Sequence, residues 1–260
     1  MFGYEPEFVD CGDARIAFYD IGRGKPLVLL HGNGEDSSYW KAQIPEFTRF
    51  YRVIAVDSRG HGASDNGAQG LSFALMAEDL KKVLDARGVK KTHILGFSDG
   101  GNLAIKFALT YPGYVDKLIL NGANVEMFGG IKPHFQLPIY AAYGLLAAAA
   151  HVSKKAARRR DVFGLMVRRY GVTLDDLAKL TMPTLIIVGE RDMVRESQTR
   201  EMAARIPHCR VEVFRDGDHF VAAKQPSRFN RTVIEFLLRD RKSTRQNSSH
   251  IRRSRMPSSA

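Results

Sequence analysis

Lys91-Thr92-His93-Ile94-Leu95, then Gly96-Phe97-Ser98-Asp99-Gly100, then Gly101 to Tyr111, is the stretch whose reading decides the fold. The first five residues read as a short buried strand. The last eleven read as a helix, because Leu103, Ala104, Phe107 and Ala108 fall on one apolar face. Between them a serine stands with a glycine two positions away on either side. Bare glycines let a strand turn sharply into a helix, and the turn holds the hydroxyl above the sheet near the positive end of that helix. G-x-S-x-G alone is a common pattern; the strand before it and the helix after it make it informative. An ordinary helix N-cap is the blander reading of Ser98, and the paired glycines argue against it.

A hydroxyl becomes a nucleophile only when a base takes its proton, so a histidine and an orienting acid are required. Thr184-Leu185-Ile186-Ile187-Val188 reads as a buried strand ending in Gly189-Glu190-Arg191-Asp192, which puts Asp192 in a loop at the strand's C-terminal end. Val211-Glu212-Val213-Phe214 reads as the next strand, followed by Arg215-Asp216-Gly217-Asp218-His219. In a parallel sheet those ends share one edge, where sites gather. Of the eight histidines, only His219 directly follows the last expected strand. Glu190 and, more distantly, Glu126 compete with Asp192 as the acid. His31 and His61, beside glycine turns, read as structural, and Asp57 and Arg59 as pairing or capping within their own loop.

Four segments carry a resemblance to the α/β-hydrolase fold superfamily: His31-Gly32-Asn33-Gly34, Asp57-Ser58-Arg59-Gly60-His61-Gly62-Ala63-Ser64, the turn at Ser98, and the Asp192 and His219 loops. The likeness runs from about Phe8 to Leu238. It implies an α/β fold with a mostly parallel eight-stranded sheet, helices on both faces and a small helical cap. It also implies a catalytic triad of Ser98, Asp192 and His219, with an oxyanion hole formed by the backbone N–H groups of Asn33 and Asp99. The Asp99 carboxylate is then incidental, or alternatively faces a substrate ammonium group.

The pattern of elements agrees with that architecture. Phe8–Asp10 and Arg15–Tyr19 suggest an edge hairpin around Cys11-Gly12-Asp13. Strands near 27–30, 52–56, 92–96, 117–121, 184–188 and 211–214 alternate with helices near 72–87, 99–111, 194–205 and 222–238. The expected organisation is a core over 1–122, a cap over 123–181, the rest of the core over 182–239 and a disordered tail over 240–260. Within the cap, Leu137 to Val152 is apolar and alanine-rich but shorter than the ~20 residues a bilayer span needs. Phe128, Phe135, Tyr140, Tyr143 and Met166 are candidates for an apolar substrate pocket, with packing of the cap onto the core as the alternative.

The net charge of +11 has two sources. Arg241 to Ala260 carries six Arg or Lys residues and no acid, and it lacks the apolar period needed to build a core. Its start resembles a conceptually translated sequencing adapter, so it is set aside from the fold; a natural basic arm is the competing reading. The second source is the cap, with Lys154, Lys155, Arg158, Arg159, Arg160, Arg168 and Arg169. No aromatic interleaving accompanies these cations, which disfavours nucleic acid.

The first twenty-one residues lack a signal-like apolar segment, and Cys11 and Cys209 are the only cysteines. Both facts fit a cytoplasmic protein. No metal-ligand spacing or phosphate loop is present, so no cofactor or metal is expected. The expected function is hydrolysis of small to medium carboxylic esters through an acyl-enzyme, with a small-molecule ester as partner and neither nucleic acid nor membrane. C–C bond or lactone cleavage would use the same triad, and a non-turnover ligand receptor could keep the same fold.

Overall fold

Strands covered on both faces need apolar residues at nearly every position, which is why the central runs of this chain scarcely alternate. The computed structural model describes residues 3–126, 128–168 and 171–239. Its strands are β1 (Glu7–Asp10), β2 (Arg15–Ile21), β3 (Lys25–Leu30), β4 (Tyr51–Val56), β5 (Thr92–Phe97), β6 (Val115–Asn121), β7 (Thr184–Gly189) and β8 (Cys209–Phe214). They form one eight-stranded sheet in the order β1-β2-β4-β3-β5-β6-β7-β8. β3 to β8 are parallel, and the β1–β2 hairpin adds antiparallel strands at one edge.

The helices are α1 (Ile44–Phe47), α2 (Phe73–Ala86), α3 (Asp99–Thr110), α4 (Pro133–Ala149), α5 (Lys154–Gly164), α6 (Glu196–Arg205), α7 (Val221–Lys224) and α8 (Pro226–Leu238). Two cores flank the sheet. Val28 and Leu30 of β3 belong to the core that holds Met76 and Leu80 of α2 and Leu103 and Phe107 of α3. Leu27 and Leu29, one residue out of phase, belong to the core that holds Trp40, Phe47 of α1, and Phe229 and Val233 of α8. This two-residue alternation places helices on both faces of a mostly parallel sheet.

All six parallel strands occur where the sequence suggests, each slightly longer than expected. Two helices differ. The stretch expected as one helix over 222–238 is α7 and α8, because Pro226 forces Gln225 out of helical geometry (φ −127°, ψ 52°). The helix expected from 194 starts at Glu196, since Val194 bridges to Ile131. Between β6 and β7 the chain leaves the sheet and forms α4 and α5. Cys11 and Cys209 are free thiols. Arg169, and the 240–260 stretch expected as an adapter-derived tail, lie outside the described residues.

Arg59 corrects a local expectation. Its fully buried guanidinium leaves its own loop, bonding both carboxylate oxygens of Asp79 on α2 at 2.7 Å and Asp13 in the β1–β2 turn at 2.6 Å. The Asp13 carboxyl, which also accepts from the Ala68 and Gln69 N–H groups, is held down to about 2, the Arg59 bond being the main cause. Asp57 does cap its loop through the Ala63 N–H, and it also accepts the Ser37 N–H. Arg59→Leu should cost about 3–5 kcal/mol in urea unfolding, because Asp79 is left buried without its partner. Replacing Arg59 and Asp79 together by apolar residues should recover part of that loss.

Candidate active site

The turn after β5 works because two pieces of backbone touch where side chains would stand. A Cβ on Gly96 would collide with the Gly100 carbonyl, and one on Gly100 with the Leu30 carbonyl of β3. A Cβ on Gly101 would lie 2.7 Å from the Ala123 methyl. Ser98 itself sits at φ 52°, ψ −120°, a strained conformation for a residue with a side chain. Its N–H donates to Asn121 O at 2.8 Å, and its carbonyl accepts from Asn102 N at 3.0 Å. Strand and helix therefore clamp the serine from both sides.

Its hydroxyl lies 3.0 Å from His219 Nε2, and His219 Nδ1 lies 2.7 Å from Asp192 Oδ1. The contact with a carboxylate places the ring proton on Nδ1, which leaves Nε2 to accept from the hydroxyl. Asp192 is buried and also accepts the N–H groups of Val194 at 3.1 Å and Gly189 at 3.3 Å. The loops carrying Asp192 and His219 are joined by backbone bonds, Glu190 N to Phe214 O at 2.9 Å and Arg191 N to Gly217 O at 2.8 Å. Glu190 is exposed and accepts from Asp216 N, whereas Glu126 is exposed beside Gln198. Neither competitor bonds to His219.

One residue that the sequence reading passes over makes room for the imidazole. Gly122 follows β6 at φ 61°, and a Cβ there would stand 2.7 Å from His219 Cε1 and 2.8 Å from Nδ1. A glycine directly after the strand next to the one that leads into Ser98 is the signal that could have marked it. Phe97 lies against the imidazole (4.9 Å between centroids), and Tyr39 stacks on Phe97 at 4.4 Å. These rings cover one side of the histidine.

The loop after β3 is held from within. Ser58 N donates to His31 Nε2 at 3.0 Å, so His31 Nδ1 carries the proton and donates to Gly32 O at 2.8 Å. Burial drives His31 and His61 down to about 4 and keeps both neutral, as expected of structural histidines. Asp99 departs from the expectation that its carboxylate is incidental. It is buried, and its oxygens accept from Asn33 Nδ2 at 2.8 Å and Asn102 Nδ2 at 3.3 Å. Burial pushes the Asp99 carboxyl up to about 6 despite those donors. Glu35 was also missed: it accepts the Gly32 N–H at 3.1 Å, and burial pushes it up to about 7. Among the described residues no protein acceptor is bonded to the N–H of Asn33 or of Asp99.

The insertion is pinned to this site at both ends. Ile131 bridges to Val194, and Lys132 N donates to Met193 O at 2.9 Å, beside Asp192. At the other end, Val162 O on α5 accepts from Asn33 Nδ2 at 2.7 Å. Of the proposed pocket residues, Tyr140, Tyr143 and Met166 are half-buried, and the Tyr143 hydroxyl accepts from Arg168. Phe128 is 81% exposed in the turn before Gly129-Gly130, and Phe135 is exposed against His134. Those two phenylalanines therefore do not wall an enclosed pocket. Among the described residues no group of three or more His, Cys, Asp or Glu side chains is placed to hold a metal ion.

Residues 25–163 match the alpha/beta hydrolase fold family. The chain belongs to that family. A 2-hydroxy-6-oxononadienedioate/2-hydroxy-6-oxononatrienedioate hydrolase of Paraburkholderia phymatum is 43% identical, over 86% of this chain and 91% of the relative. Among solved structures, a meta-cleavage product hydrolase from Pseudomonas fluorescens IP01 is similar at TM-score 0.70 and 28% identity, covering 86% of this chain and 94% of that one. Est816, described as an N-acyl homoserine lactone degrading enzyme, is similar at TM-score 0.73 and 27% identity, covering 88% of this chain and all of its own. Fold and relatives together make this alpha/beta hydrolase fold protein a hydrolase.

Two outcomes are expected of this geometry. Gly122→Ala should displace the imidazole and lower kcat by on the order of 10²-fold with little change in KM, measured on any substrate that the enzyme turns over. Glu35→Gln should change the pH dependence of stability. A carboxyl whose pKa is raised on folding contributes stability below its unfolded value near 4.5, and that contribution is lost as pH rises through about 7. The variant, which cannot ionise, should therefore gain on wild type in thermal unfolding as pH moves from 4.5 to above 7.

Proposed function

We propose that the chain is a serine hydrolase that cleaves carboxylic esters of small to medium size through an acyl-enzyme. The observation that carries this reading is the continuous path from Ser98 Oγ through His219 to Asp192, at 3.0 and 2.7 Å, built on a strained turn. His219 takes the Ser98 proton as the oxygen attacks the ester carbonyl, and Asp192 steadies the imidazolium. The oxyanion meets the N–H groups of Asn33 and Asp99, and His219 returns the proton to the departing alcohol. Water activated by the same histidine then releases the acid. In this reading α4 and α5 form a short cap over 123–181, and Tyr140, Tyr143 and Met166 contribute its apolar lining.

A second reading, hydrolysis of a C–C bond beside a ketone, is favoured by the 43% identity to the Paraburkholderia phymatum hydrolase. Two carboxyls beside the loop after β3 weigh against a dianionic substrate of the kind in that relative's name. Among the ionisable groups beside that loop, the carboxyls of Asp99 and Glu35 offer a dianion no counter-charge. A neutral ester or lactone suits them better.

A fluorophosphonate probe should label Ser98 in the folded protein, and absence of labelling would count against the reading. With p-nitrophenyl esters, Ser98→Ala and Asp192→Asn should each lower kcat by on the order of 10⁴-fold or more, the latter through loss of the correct tautomer. Glu190→Ala should leave turnover near wild type. Faster turnover of a 2-hydroxy-6-oxo-dienoate than of every ester in the panel would transfer the assignment to C–C cleavage.

A further inference from the structure

The outer surface of α4 has a composition that a water-facing helix does not need. From Pro133 to Ser153 the chain holds no Asp, Glu, Lys or Arg. Its exposed positions, among them Leu137, Ala141, Leu145 and Ala148, recur at helical spacing along one side. Leu137 is 69% exposed and Leu145 74%, and Gln136 is the only buried side chain of the helix. At the tip where α4 turns towards α5, Val152 is 91% exposed. Directly after it, the first two turns of α5 present exposed Lys154, Lys155, Arg158 and Arg159.

A helix that is apolar all round is normally covered, and isolated exposed leucines would need no explanation. Here a charge-free helical face adjoins a compact set of cations, and that pairing defines the chemistry of what covers it. A bilayer surface supplies an acyl boundary for Leu137, Leu145 and Val152, and anionic headgroups for the cations that follow them. No helix among the described residues is long and apolar enough to cross a membrane. A helix can nevertheless lie in the interface without spanning, so the length that excludes an anchor does not exclude this contact.

We propose that the α4–α5 hairpin docks on an anionic lipid surface, with the exposed side of α4 and Val152 in the headgroup–acyl boundary and the α5 cations against the headgroups. The reading stands apart from the bond that the enzyme cleaves.

The test is co-sedimentation of the full chain with phosphatidylcholine vesicles, alone and with phosphatidylglycerol at a third of the lipid. Binding is expected only to the mixed vesicles and should weaken as salt rises. Lys154→Ala with Lys155→Ala should lower the partition coefficient by roughly 25-fold, at about fivefold per cation. Leu137→Asp with Leu145→Asp should abolish binding while circular dichroism and turnover of a soluble ester stay unchanged. Three results would overturn the proposal. The first is no binding to mixed vesicles. The second is binding that survives the leucine changes, which would assign it to the basic 241–255 stretch. The third is a dimer in sedimentation velocity without lipid that the leucine changes dissociate, which would make α4 a contact between two copies.

Discussion

Close backbone approach at one strand-to-helix turn is the constraint on which this molecule depends. Gly96, Gly100 and Gly101 let the first turn of α3 lie against the end of β3 and the residue after Gly122. That approach holds Ser98 in its positive-φ conformation, and the parallel register of β3, β5, β6, β7 and β8 then sets the Asn33, Gly122, Asp192 and His219 loops along one edge. The loops after β7 and β8 are tied by main-chain bonds, so the histidine and its acid are held as one piece. A side chain at any of these glycines would move the sheet edge itself.

The edge is also electrostatically unusual. Two carboxyls, Asp99 and Glu35, are pushed upward by burial, and two histidines, His31 and His61, are pushed downward by the same cause. Desolvation thus favours neutral groups around Ser98, while Asp192 is provided with two N–H donors and an imidazole.

How much of this is legible in the sequence depends on whether a feature is local. The strands, the turn at Ser98 and the acid and histidine loops are written in short stretches whose hydrophobic runs and glycines act on their own neighbours. Arg59 shows the limit: its partners Asp13 and Asp79 lie 46 and 20 residues away, and no local pattern names them. Gly122 is similar, since its meaning comes from an imidazole ninety-odd residues later in the chain. The split at Gln225–Pro226 is local, since the proline itself marks it, whereas the exposure of Phe128 depends on how the following glycine turn leaves the core.

The Asn33 side-chain amide joins three parts of the molecule: the loop after β3 that carries it, the Asp99 carboxylate at the start of α3, and the Val162 carbonyl of α5. Any guest large enough to lift α5 must first break the bond to Val162 and so slacken the loop that, in the proposed reaction, steadies a developing negative charge. Bulk is then penalised at the chemical step rather than at entry. Such an enzyme would discriminate by how fast it reacts with what it has already admitted.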